Sequence, residues 1–276
     1  MIAACLKFVD RRPEVDRLSG EVHTDIRSSG LSDADQAALE WALRLGAEWD
    51  SEVVAVTAGS AGADAVLQEA IACGASRAVR VDIESEVASS TVAAAIASVC
   101  EGTRLFVCGD WSLDRGSGAV PAYLAALAGA PQALGLVTLD AAEPWVLRAE
   151  RRLDGGRRER LVVRAPAVIS VEGSSARLRR ASLAAALGAK RAQIDVQQPA
   201  LAASVVHVPS RSGPFRPRPR VLPPPPADLS PRERVLALTG ALVERTPPKR
   251  VVLEPEEAAG LLIEQLREWG ELPEGD

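Results

Sequence analysis

The stretch 105-LFVCGDWSLDRGSGAVPAYLAALAG-129 decides the fold. Its first five residues are apolar or small and read as a buried strand, while the alanine-rich run that ends at Gly129 reads as a helix. A strand that turns directly into a helix is the building unit of a parallel sheet. Such sheets open their ligand crevice at the carboxyl ends of the strands, where the next helix also presents its first backbone amides. In the bend, Gly116 and Gly118 let main-chain amides come close to an anion, and Ser117 offers a hydroxyl. Two readings stay open for this bend: a phosphate-holding loop, with Asp114 accepting from ribose or loop amides and Arg115 pairing with phosphate, or an ordinary tight connection. Neither GxGxxG after the first strand nor GxxxxGK[ST] is present, so no standard dinucleotide fingerprint or P-loop decides between them.

Outward from that unit the same alternation repeats. Apolar β-formers occur at 2-IAACLKFV-9, 53-VVAVTA-58, 78-AVRVDI-83 and 167-AVISVE-172. Helical spacing occupies 33-DADQAALEWALRLGAEW-49, 61-AGADAVLQEAIACGA-75 and 89-SSTVAAAIASVC-100. Strands joined by helices of this length imply right-handed crossovers, and hence an α/β three-layer sandwich with a mainly parallel sheet. Ser32 and the acids Asp33 and Asp35 have the pattern of a helix start, with Ala38, Leu39, Ala42 and Leu43 on the buried stripe. Leu67, Ala70, Ile71 and Gly74 are placed to press the second helix closely on the sheet.

The segment 146-VLRAERRLDGGRRERLVVRAPAVISV-171 departs from the alternation. Asp154, Gly155 and Gly156 predict a turn between two polar strands, a hairpin that leads into the last central strand. Its arginines, among them Arg148, Arg151, Arg152, Arg157, Arg158 and Arg160, read either as a solvated face or as part of an anion or partner surface.

The 276 residues divide into an α/β nucleotide-binding-like domain over 1–196, an extended arm over 197–231 and C-terminal helices over 232–276 that would pack on the core or on another chain. Nine prolines from Pro209 to Pro231, including 223-PPPP-226, favour extended polyproline geometry in the arm. Hydrophobic residues make up 47% of the chain, which supports a sizeable core. With 32 basic and 37 acidic residues the net charge is −5, which gives no electrostatic reason to bind nucleic acid or an anionic membrane. No apolar run reaches the length of a membrane span, and the opening MIAACLKFVD meets a charge too early for a secretory signal, so no direct membrane insertion and a cytoplasmic location are expected.

Cys5, Cys73, Cys100 and Cys108 form no CxxC, and His23 and His207 are far apart, so the thiols read as buried core residues and no metal site is expected. GxSxG and HExxH are absent, and the tryptophans form no base-stacking stripe. Nothing in the chain reads as a self-contained catalytic centre.

Taken in order, 4-ACLKFVD-10, 35-DQAALEWALRL-45, 54-VAVTAG-59, 67-LQEAIACGASRAVRV-81, the opening stretch through Gln132, 154-DGGRRERLVVRAPAVISV-171 and 183-LAAALGAKRAQI-194 resemble the beta subunit of electron transfer flavoproteins. The resemblance implies an adenine-nucleotide-hydrolase-like sandwich with an extended C-terminal arm, paired with an alpha subunit. It implies AMP in this subunit, FAD in the alpha subunit or at the heterodimer interface, and in some members a second FAD here. Carried onto this chain, Cys5, Leu6 and Lys7 would approach adenine or ribose, with Ala58 and Gly59 beside them. Asp114, Ser117, Gly118, Ala119 and Val120 would hold the phosphate. Leu183, in a partner-recognition loop near 178–191, would be the apolar anchor for a dehydrogenase, and residues 184–191 its following helix.

Two departures stand out. Where many members carry Asn-Gln-Thr-Gly in the phosphate loop, this chain has Gly118, Ala119, Val120 and Pro121, so only Ser117 and backbone amides remain as donors. Leu-Pro-Asn-Ile-Met-Lys in the recognition loop becomes 183-LAAALG-188, which implies a different pocket in the partner. The resemblance therefore points to a divergent branch serving a flavin-linked or mycofactocin-linked dehydrogenase, with a quinone oxidoreductase as a further partner. A universal-stress-like adenine-nucleotide-binding regulator, or a structural partner-binding subunit without nucleotide, are the alternative readings.

Overall fold

The computed structural model describes residues 1–84, 87–199, 224–239 and 251–269. Two units, Met1–Phe215 and Arg216–Asp276, have separate internal packing. The first holds a nine-stranded sheet built from β1 (Ile2–Leu6), β2 (Val53–Ala58), β3 (Arg77–Val81), β4 (Leu105–Gly109), β5 (Gln132–Glu143), β6 (Val146–Arg152), β7 (Arg158–Arg164), β8 (Ala167–Val171) and β9 (Asp195–Gln197). Their spatial order is β7-β6-β5-β8-β4-β1-β2-β3-β9. All neighbours from β5 to β9 run parallel, and the β5-β6-β7 edge is antiparallel.

Four helices cover this sheet, α1 (Asp33–Glu48), α2 (Asp64–Cys73), α3 (Ser89–Val99) and α4 (Val120–Ala128), and α5 (Leu183–Ala189) packs against α2. Alternate residues of β1 show how the layers form. Ile2, Ala4 and Leu6 pack with α1 and α2, whereas Ala3 and Cys5 pack with α3 and α4. Helices on both faces leave the central strands without a polar side, which is why they read as unbroken apolar runs. The three-layer sandwich expected from the sequence is the observed fold.

Ser32 caps α1 by accepting the Asp35 amide at 3.1 Å, and Ala38, Leu39, Ala42 and Leu43 form the buried stripe. On α2, Leu67 and Ala70 are buried as expected, but Gly74 is exposed and ends the helix at φ 117°. Its role is the left-handed cap, not close packing. The first and third strands end earlier than the apolar runs suggest, at Leu6 and Val81, because the chain there turns into the site.

The arginine hairpin forms as predicted, and its charges pair across the strands. Arg158 and Arg160 meet Glu150, Arg151 meets Glu159 at 2.5 Å, and Arg152 meets Glu172. Two strands of the nine-stranded sheet are new relative to the sequence reading. β5 pairs with β8 through a bulge near Gly135, and the short β9 adds to the β3 edge.

In the second unit α6 (Pro231–Thr239) starts with Ser230 and Glu233 in a reciprocal cap, and α7 (Pro255–Glu268) starts with a proline and Glu256 and Glu257. Most of the Pro/Arg-rich arm, 200–223, and the end of the first predicted C-terminal helix, 240–245, lie outside the described residues. Among the described residues, no helix is long and apolar enough to cross a membrane.

Candidate functional site

β1 lies between β2 and β4, so the chain moves to one side of it for β2 and β3 and then to the other for β4. Loops leaving the strands on either side of such a reversal diverge, and a crevice opens at their carboxyl ends. A cleft of about 210 Å³ occupies this position. Cys5 and Leu6 line it from β1 and Lys7 from just past it, and Ala58 and Gly59 from the corner that ends β2. Asp114, Ser117, Gly118, Ala119 and Val120 line it from the bend after β4. The ten cleft residues named from the sequence thus converge on one cavity.

The bend is built around Gly118, whose φ is +57°. A side chain on it would meet the Asp110 carbonyl oxygen at 2.2 Å, so the loop crosses its own strand end where only glycine fits. Gly116 closes the preceding turn by donating to the Ser112 carbonyl at 2.8 Å. The chain then enters α4 with Ala119 as its N-cap and Pro121 in its first turn. That start leaves backbone N–H groups without intrahelical partners, but Pro121 has none to give.

Lys7 crosses the cleft to Asp114, with Nζ 2.7 Å from Oδ1 and 2.6 Å from Oδ2. Burial opposes ionisation of Asp114. The Lys7 ammonium, the Ser112 hydroxyl and the Arg115 amide overcome it and hold the carboxyl below its usual range. Arg115 does not pair with Asp114; its guanidinium donates to the Val87 carbonyl before α3.

Asp35 is a cleft residue that the sequence reading left among ordinary helix-start acids. It is buried, accepts from the Ser32 hydroxyl at 2.6 Å and sits beside β1. Burial pushes its carboxyl up to about 7, against hydrogen bonds from Ser32 and the charge and amide of Lys7. Position 35 lies three, four and seven residues before Ala38, Leu39 and Ala42, so an acid on the buried stripe was the available signal.

Arg80, also missed, braces the cleft from β3. Its buried guanidinium bonds Asp64 at 2.7 Å, the Gly59 carbonyl at 3.2 Å and Asp82, which fixes the corner after β2. On the floor, Cys5 and Cys108 are register partners on β1 and β4. The neighbouring Cys108 thiol and burial raise the Cys5 pKa, and burial raises that of Cys100, so these thiols are held protonated.

The arrangement is an apolar floor, a cation beside a glycine-shaped bend and a helix start, which is the donor set for an anion attached to a flat apolar group. The electron transfer flavoprotein domain matches residues 22–202, more than half of the chain.

The chain belongs to the electron transfer flavoprotein family. Members of this family act in flavin-dependent electron transfer together with other flavoprotein subunits and dehydrogenases. The matched span takes in the bend, the hairpin and α5, and begins after Cys5, Leu6 and Lys7.

Leu183 stands apart from the cleft of this flavoprotein domain. It is the first residue of α5, not a loop residue, because Ser182 caps the helix by accepting the Ala185 amide at 3.1 Å. Its side chain is 77% exposed, and Leu187 is also exposed.

Proposed function

We propose that this chain is the beta-type subunit of a heterodimeric electron transfer flavoprotein and holds AMP in the strand-end cleft. The convergence of Lys7, the Ala58–Gly59 corner and the 114–120 bend on one cavity carries this reading. The donor set suits a phosphate: Lys7, Arg115, Ser117 and the amides entering α4 line the cleft, and the Asp114 carboxylate disfavours the extra charges of a polyphosphate. The apolar wall formed by Ala58, Val92 and Ile96 suits the face of an adenine ring. A second FAD in place of AMP would need the same phosphate contacts and room beyond the cleft for its flavin half.

FAD, held by an alpha subunit or at the subunit interface, would supply the redox chemistry between a dehydrogenase and a quinone-linked acceptor. This chain makes and breaks no substrate bond. Its residues anchor the nucleotide, exclude water from the cleft floor and display Leu183 to the dehydrogenase. The changed sequence after Leu183 favours a specialised donor, and the overall resemblance to a divergent branch suggests one linked to mycofactocin. Co-expression with a candidate alpha subunit tests the proposal: a stable pair whose flavin is reduced by the dehydrogenase is expected, and a stable monomer that forms no pair contradicts it.

A second reading, a partner-binding subunit without nucleotide, draws on the Lys7–Asp114 ion pair, which satisfies the cleft lysine within the chain, and on the loss of side-chain donors at 118–121.

A further inference from the structure

From Glu172 to Ser182 the chain runs without regular secondary structure before α5 begins at the exposed Leu183. A segment of this kind has little local reason to hold one path, because no ladder of backbone hydrogen bonds fixes it. Ala176, Leu178 and Ala181 pack it loosely against the core, and its main polar tie comes from α1. Glu40 faces inward on that helix, 4% exposed, and its carboxylate reaches Arg179, four residues before Leu183. Oε2 accepts the Arg179 backbone N–H at 3.1 Å and Nε at 2.9 Å, while Oε1 accepts Nη2 at 3.2 Å and Arg44 Nε at 2.8 Å. One buried carboxylate therefore holds both the backbone and the side chain of the segment.

Two lesser ties act from the same side. Trp41 Nε1 donates to Ser175 Oγ at 3.2 Å, and Cys73 Sγ lies 3.5 Å from the Arg179 carbonyl. Burial works against ionisation of Glu40, and the bonds from Arg179 and Arg44 more than offset it. The carboxylate is fully engaged and faces donors only, so an amide would turn its own N–H₂ toward N–H groups in either orientation.

We propose that Glu40 is a positioning residue for partner docking: through Arg179 it fixes the path of the 173–182 segment and so the place at which Leu183 and Leu187 meet the dehydrogenase. The proposal rests on the docking role assigned to Leu183. Glu40 itself, buried under the segment, touches no partner.

The test uses the full chain in its flavoprotein complex. Glu40→Gln preserves volume and disturbs all of these bonds, whereas the milder Arg179→Ala removes only the two guanidinium bonds and leaves the backbone N–H and Arg44 on Glu40. Hydrogen–deuterium exchange of peptides covering 173–187 is expected to quicken by about tenfold or more, with β1 and β4 unchanged. With the dehydrogenase that co-purifies with the tagged chain as the probe, KM is expected to rise about tenfold at constant kcat, and Arg179→Lys to restore part of it. Unchanged exchange in both variants overturns the proposal. Faster exchange with a wild-type KM, in an assay where Leu183→Ala raises KM, overturns the positioning role and leaves the docking role standing. A wild-type KM in Leu183→Ala itself removes the docking role, and the proposal falls with it.

Discussion

The ammonium of Lys7, just past β1, lies 2.6 Å from the carboxylate of Asp114, in the bend after β4, and the two close the cleft from opposite walls. A phosphate entering the cleft meets a lysine that already has an anionic partner. Lys7→Met is expected to weaken AMP about tenfold, the scale of one hydrogen bond to a charged group. Asp114→Asn is expected to tighten AMP by releasing Lys7 for the phosphate. Isothermal titration of the two variants decides the roles: weaker binding in Asp114→Asn would make that carboxylate the ribose ligand and Lys7 only its counter-ion.

Gly118 was assigned to the site because a bare backbone approaches phosphate closely. Its geometry gives it a prior, structural task, since a Cβ there meets the Asp110 carbonyl at 2.2 Å and φ is +57°. Gly118→Ala is therefore expected to lower stability by about 1–3 kcal/mol with no ligand present. Urea unfolding of the nucleotide-free variant checks this. A wild-type midpoint would show that the loop relaxes freely.

Asp35 sets a pH dependence. Its folded carboxyl titrates near 7 against an ordinary 3.8, so between those values the folded state binds the extra proton. Stability attached to this group is present at acid pH and lost as pH rises toward 7, by on the order of 1 kcal/mol per pH unit. Carboxyls held low, such as Glu40 and Asp114, act in the opposite sense and at lower pH. Denaturation of the wild type and Asp35→Asn at pH 5 and pH 7.5 is expected to show a steeper decline in the wild type, since Glu69 and Asp110, also raised by burial, remain in both. Equal slopes would mean that Asp35 is ionised in the fold.

Leu183 is 77% exposed, so Leu183→Ala should change stability by less than about 0.5 kcal/mol. Transfer of electrons from the dehydrogenase should slow, because a protruding leucine gains its burial only in the complex. Stopped-flow reduction of the flavin measures it, and unchanged kinetics would take Leu183 out of the interface.

The parallel core was legible because its strands are buried on both faces and leave an unbroken apolar signature. β5 carried no such signature: it spans 132–143 with mixed burial, and Gly135 at φ +69° breaks its pleat, so its identity as a strand depends on β8 and β6 beside it. β9 is three residues long and owes its state to the β3 edge. Cleft residues on strand ends and on the glycine bend followed from topology and family resemblance. Asp35 and Arg80 did not, because their roles arise only when the start of α1 closes over Gly109 and when Arg80 turns toward the β2 corner. Glu40 gave no signal in the sequence, because the partner that defines its role, Arg179, lies 139 residues on.

The most direct test of the account is release and mass-spectrometric identification of nucleotide from the full chain purified with its flavoprotein partner, with nucleotide-to-chain ratios determined. One AMP for each copy of this chain, with FAD accompanying the partner subunit, is the expected result. A flavoprotein complex that contains FAD and no AMP would contradict it, and would make the 114–120 bend a connection between β4 and α4 that holds no ligand.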